Sequence, residues 1–271
     1  MYKIIACDLD ETLLSDDHSI SKENIEAIHC AKQKGVRFVL ATGRGYRTVQ
    51  GTLRTLGLFE EEDEYVISFN GGAITENKNN KVLEFNGISY ELAEALFNFG
   101  LKYDVCIHVY TDTDVYIYRF NDEEKKYLNG RMDGCIELEN ADISFLQDKS
   151  FVKVLYQNCD LKLLEQIEED IKGITDGNAA VSYSSNRYIE FNHIDVNKGK
   201  GLLTLAKKLG IKQEETIAIG DNINDLPMIL AAGLGVCVKN AVEEMKAQAK
   251  YVCNNTNNES AIAEVINKFI R

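Results

Sequence analysis

The sequence predicts an α/β fold: a doubly wound parallel sheet, interrupted by an inserted α+β domain. Three observations carry this. Short apolar runs alternate with amphipathic helical stretches over the first part of the chain, joined by short loops. The same alternation resumes after Lys198. Between the two blocks the pattern changes to alternating strands and hairpin turns. At 271 residues the chain exceeds the usual single-domain size, so two domains fit its length.

The first strand is the apolar run Ile4-Ile5-Ala6-Cys7, which ends in Asp8-Leu9-Asp10-Glu11-Thr12. Ser19-Ile20-Ser21 reads as a helix entry, Ile25, Ile28 and Ala31 as its apolar face, and Gly35 as its stop. A second strand over 36–40 runs into Ala41-Thr42-Gly43-Arg44. Arg44 then opens a helix that extends to about Leu56, with Gly57 at its end. A third strand over 65–68 leads into Asn70-Gly71-Gly72. A hairpin surrounds the polar stretch 77–80, and a helix is expected over about 89–102. Val105, Ile107 and Val109, then Val115 and Ile117, alternate as an antiparallel pair. Strands over 151–156, 179–183 and 188–191 surround a helix at about 160–172. This places a core at 1–83 and 192–271 and the insert at 84–191. After Lys198, Leu202, Leu205, Ala206 and Leu209 form a helical stripe stopped by Gly210. A strand over 216–219 ends at Gly220-Asp221-Asn222-Ile223-Asn224-Asp225. Pro227 is tolerated at the start of the next helix. A strand over 234–238 and helices over 241–249 and 260–270 complete the reading.

Composition narrows the function. The formal net charge of -13 argues against nucleic acid or an anionic membrane as partner. An anionic ligand would need local attraction from a metal, a lysine or helix N-termini. The seven cysteines are scattered without a C-x-x-C pair, which reads as reduced thiols in a cytoplasmic protein. The N-terminus meets an acid by position 8, too early for a signal peptide. No apolar stretch reaches the roughly 18 residues needed to span a bilayer.

Four features fall at strand ends or at the start of the next helix: Asp8, Asp10 and Thr12; Thr42-Gly43-Arg44; Lys198; and Asp221, Asn224 and Asp225. Strand tips of one parallel sheet converge on one edge, so these positions become neighbours. Each feature alone also has a structural reading, as a polar turn or a helix opening. Two carboxylates as close as Asp8 and Asp10 repel unless a cation or a proton lies between them.

The ordered set resembles the haloacid dehalogenase (HAD) superfamily of phosphohydrolases. The first motif, D-x-D-x-[TV], is Asp8-Leu9-Asp10-Glu11-Thr12, with Glu11 where most members carry Gly. Thr42 is similar to the second motif, Lys198 to the third and Gly220-Asp221-Asn222-Ile223-Asn224-Asp225 to the fourth. The large insert, with Asn70-Gly71-Gly72 just before it, is similar to the Cof-type (subfamily IIB) branch. The resemblance implies a Rossmann-like, HAD-like core with a C2-type cap that sets specificity and covers the catalytic edge.

It also implies a magnesium-dependent phosphatase of small phosphorylated metabolites, such as sugar phosphates, working through an aspartyl-phosphate. Asp8 would be the nucleophile and Asp10 the general acid and base. Asp8, the Asp10 carbonyl and Asp221 would hold Mg2+, with Asp225 supporting. The Leu9 and Gly43 amides, Thr42, Lys198 and Asn224 would hold the phosphoryl oxygens. Arg44 is either a substrate contact or a solvated helix residue. Alternatives are a phosphosugar mutase with the same motifs, a phosphorelay receiver, for which the chain is too long, and a non-catalytic sugar-phosphate sensor. The expected partner is a small phosphate monoester, with no nucleic acid and no membrane, in a monomer or weak homodimer. The histidines, including His108 and His193, show no ligand spacing.

Overall fold

The computed structural model describes residues 1–130, 132 and 134–270. The chain divides into two compact units, Met1–Phe85 with Asn197–Arg271, and Asn86–Val196.

The first unit is built on an eight-stranded sheet. Its order is Tyr251–Val252, Leu234–Cys237, Thr216–Gly220, Ile4–Cys7, Arg37–Ala41, Tyr65–Ser68, Ala73–Glu76 and Lys81–Phe85. Pairing is parallel from Tyr251–Val252 through Tyr65–Ser68 and antiparallel in the last two pairs. Ile4–Cys7 lies in the middle because all four residues are buried and apolar, as a strand covered on both faces requires. The chain winds outward from it first on one side and later on the other. Its C-terminal tip is therefore the switch point where open α/β sheets form a crevice.

Helices follow from local signals. Lys22–Gln33 begins where the Ser21 side chain accepts a hydrogen bond from the Asn24 amide, and it packs on Ala261–Phe269. Lys198–Lys208 begins at Asn197, whose side chain accepts from the Lys200 amide at 2.9 Å, and packs on Leu226–Ala231. Pro227 sits in the first turn of that second helix. One expectation fails here. The helix placed from Arg44 onward starts only at Gln50, as Gln50–Thr55. Gly43 and Gly45 are poor helix formers, and the Arg44 amide is taken by the Thr42 hydroxyl at 3.1 Å.

The second unit is a six-stranded sheet in the order Ala179–Ser184, Tyr188–His193, Phe151–Gln157, Cys106–Thr111, Val115–Tyr118 and Ile136–Leu138. All pairs are antiparallel except the last. Helices Tyr90–Gly100 and Leu161–Thr175 share one core with Ile107, Val109, Val154, Tyr156, Ile189 and Phe191. Strand alternation gives His108, Tyr110, Lys153, Tyr188 and Glu190 to the other face. Leu128 of the short helix Asp122–Leu128 packs there with Cys106 and Ile117. That helix and the strand Ile136–Leu138 have no counterpart in the sequence reading. Their charged, weakly periodic residues give no pattern for either.

All seven cysteines are free thiols. Cys7, Cys106, Cys237 and Cys253 are buried, Cys135 is half-buried, and Cys30 and Cys159 are exposed. Among the described residues no helix is long and apolar enough to cross a membrane.

Candidate active site

Asp8 is the first residue past the central strand. Its amide extends the ladder by donating to the Ile219 carbonyl at 2.9 Å, which fixes the backbone where the carboxylate leaves the sheet. Lys198, fully buried at the start of its helix, donates from Nζ to Asp8 Oδ1 and to Asp225 Oδ1, both at 2.5 Å. Asp225 Oδ2 accepts from the Asp221 and Asn222 amides at 3.0 and 3.2 Å. Thr12 Oγ1 donates to Asp221 Oδ1 at 2.6 Å. A side chain at Gly220 would strike Asp225, with a Cβ only 2.5 Å from that of Asp225, so this close turn needs glycine.

Residues far apart in sequence thus meet at one sheet edge. Oxygens of Asp8, Asp221 and Asp225 lie within 4.8 Å of one another. Burial pushes the Asp8 carboxyl well above the usual range and the Asp225 charge adds to this, while Lys198 opposes both. Burial, then Asp225, pushes Asp221 up to about 7 against the Thr12 hydrogen bond. Burial disfavours the Lys198 ammonium, but Asp225 and Asp8 outweigh it and hold its pKa above the ordinary value. This crowd of hard oxygen donors carries more negative charge than one lysine balances, which suits a small divalent cation.

Asp10 stands apart from these three carboxylates. Its side chain is half exposed and forms a bidentate pair with Arg44, through Nε to Oδ2 at 2.9 Å and through Nη2 to Oδ1. Arg44 is therefore no solvated helix residue; it leaves a loop and clamps Asp10. Leu9 is fully buried beside it. Thr42 is buried, and its amide donates to the Ile67 carbonyl at 2.9 Å. A Cβ on Gly43 would lie 3.3 Å from Asn70 Oδ1, and Asn224 Nδ2 donates to the same Oδ1 at 3.4 Å.

Sequence puts Thr12 among the strand-tip features and Asn70 in an Asn-Gly-Gly motif, but assigns neither side chain a role. The signal was present: a hydroxyl two residues beyond Asp10, and an Asn-Gly-Gly at a strand tip. In the second unit, His108, Glu124, Arg187 and Tyr188 form a buried cluster that sequence reasoning missed. Glu124 accepts from Arg187 at 2.8 Å and from Tyr188 at 2.5 Å, and lies 3.4 Å from His108 Nε2.

A family profile described as haloacid dehalogenase-like hydrolase matches residues 5–266. The Bacillus subtilis protein YxeH is 33% identical over 271 residues, covering 100% of this chain and 99% of that one. The 5-amino-6-(5-phospho-D-ribitylamino)uracil phosphatase YcsE of the same organism is 28% identical over 99% of this chain and 96% of its own. A solved haloacid dehalogenase-like hydrolase from Bacteroides thetaiotaomicron superposes with a TM-score of 0.86 at 29% identity, covering 99% of each chain. The chain therefore belongs to the haloacid dehalogenase-like hydrolases, in their Cof-type branch, and is a phosphatase of that superfamily.

Proposed function

We propose that the protein hydrolyses phosphate monoesters of metabolite size in two steps through a phosphorylated Asp8. The observation that carries this reading is the Lys198 ammonium held between Asp8 and Asp225 at the tip of the central strand. It orients the Asp8 carboxylate and leaves it one oxygen that Lys198 does not engage. A carboxylate oxygen of Asp8 attacks phosphorus, the bond to the ester oxygen breaks, and Asp10, having taken up a proton from solvent on release from Arg44, gives that oxygen the proton. Asp10 then takes a proton from water as the water attacks phosphorus, and the Asp8–phosphorus bond breaks to release phosphate. Arg44 holds Asp10 in place until the ester oxygen replaces it as partner. Thr42, the Leu9 and Gly43 amides, Lys198 and Asn224 hold the phosphoryl oxygens.

Asp8 and Asp221, with the Asp10 carbonyl, would bind Mg2+. Asp225 would be support, since Lys198 and two amides already occupy it. The bound ion would neutralise phosphoryl charge and offset the burial and the Asp225 charge that raise Asp8 and Asp221. YcsE is named for a metabolite-sized phosphate monoester, which supports the same substrate class here. Specificity is assigned to the inserted unit. A phosphate-release screen over sugar phosphates, nucleotides and cofactor phosphates with Mg2+ tests the reading. Release from at least one class without a bisphosphate activator is expected. Release from none, or release only with such an activator, overturns hydrolysis as the reaction.

A further inference from the structure

We infer that Asn70 is a positioning residue for the phosphate-holding groups, acting through Asn224 and the loop at Gly43. This rests on the site assignments proposed above. Phe69 and Asn70 are successive non-glycine residues with left-handed backbone, φ 53° and 55°, and Gly71 follows at φ 101°. A run of this kind is costly and persists only where its surroundings enforce it. Two bonds do so. The Phe69 amide donates to the Arg44 carbonyl at 3.0 Å, and the Asn70 amide donates to the Thr42 carbonyl at 2.9 Å. A third restraint comes from the opposite side. A Cβ on Gly71 would lie 2.3 Å from the carbonyl oxygen of Asn197, the residue just before Lys198.

The turn therefore locks the Thr42–Arg44 loop against the start of the Lys198 helix. Its side chain reaches a third loop: Asn70 Oδ1 accepts from Asn224 Nδ2 at 3.4 Å and lies against Gly43. An amide such as Asn224 can present either its oxygen or its nitrogen to a ligand. The acceptor at Asn70 fixes where the Asn224 nitrogen points and leaves its second N–H for a phosphoryl oxygen. The strained backbone is what delivers Oδ1 to that place.

The test uses the intact protein with p-nitrophenyl phosphate as substrate and inorganic phosphate as competitive inhibitor. Asn70→Gly keeps a left-handed backbone without steric cost and removes the side chain. The expected result is a rise of about tenfold in both KM and the inhibition constant for phosphate, with kcat changed less than about threefold. In an Asn224→Ala background the same substitution should change either constant less than about twofold, because the two residues act as one unit. Should Asn70→Gly fail to fold, Asn70→Asp keeps the acceptor and sets a negative charge beside the phosphoryl site, and more than a tenfold rise in the phosphate constant is expected. Unchanged constants in a folded Asn70 variant, or a full effect in the Asn224→Ala background, overturn the inference while leaving the phosphatase site intact. A wild-type protein that inorganic phosphate does not inhibit overturns the site assignment itself.

Discussion

Asp8, paired with the buried Lys198 at the tip of the central strand, carries the largest demand on one side chain in the proposed reaction. Asn in its place can neither attack phosphorus nor charge-pair with Lys198, so Asp8→Asn should abolish turnover while the far-UV spectrum is retained; a tenth of wild-type activity would refute the nucleophile. Arg44→Ala leaves Asp10 unheld before substrate arrives and should lower kcat/KM on the order of tenfold with less effect on kcat, read by steady-state kinetics. Asp221 and His108 give opposite pH signatures in the metal-free protein. The folded pKa of Asp221, about 7, lies above its ordinary 3.8, so the stability it contributes is present below pH 4 and lost as pH rises to 7. The melting temperature should fall across that window, flatten in Asp221→Asn, and be restored at neutral pH by magnesium. Burial, with Lys153 and Arg187, lowers His108 from 6.5 to about 3, so its contribution is complete above pH 6.5 and erodes towards pH 3 by up to about 1.4 kcal/mol per unit. His108→Phe should remove that acid-side slope in a pH-resolved melt. Asp8, Asp221 and Lys198 could be singled out from sequence because strand ends mark the two acids and a helix start marks the lysine. The His108 cluster could not, since its members lie up to 80 positions apart and no spacing rule relates them.

Elements show where sequence reasoning succeeds and where it stops. The central strand, the Ser21-capped helix and the Pro227 helix follow from local composition, which agrees with the tertiary demand. The stretch 44–49 does not become helix because its partners are distant: Asp10 takes the Arg44 guanidinium, and the Phe69–Gly71 turn takes the Arg44 and Thr42 carbonyls. No window of neighbouring residues contains that competition. The same turn yields an element-scale prediction. Gly71→Ala forces a methyl into the Asn197 carbonyl at a backbone angle that L residues avoid, which should cost roughly 3 kcal/mol or more. Chemical denaturation measures it, and an unchanged midpoint would contradict the close approach. Gly35→Ala is also left-handed but meets nothing within 4 Å, so it should cost only about 1 kcal/mol.

On the scale of the whole molecule, each unit has its own sheet, and the sequence signalled the change of pattern between them. The hairpin Ala73–Glu76 and Lys81–Phe85 belongs to the first unit, and the division falls at Asn86 and Asn197. The sequence places the insert at 84–191 and the structure at 86–196; Gly87 punctuates the first crossing, and no glycine or proline lies between 191 and 197 to mark the second. If the insert carries specificity, replacing residues 86–196 by a Gly/Ser linker should leave slow hydrolysis of p-nitrophenyl phosphate and erase the ranking among natural esters. An unchanged ranking in the phosphate-release screen would return specificity to the first unit. The free thiols described above offer a way to watch the two units with a single substitution. Cys30 lies in one and Cys159 in the other, both exposed, while four of the remaining five are buried. With Cys135 changed to Ser, maleimide dyes would decorate one position per unit, and energy transfer between them would test whether substrate changes the distance between the two in single molecules.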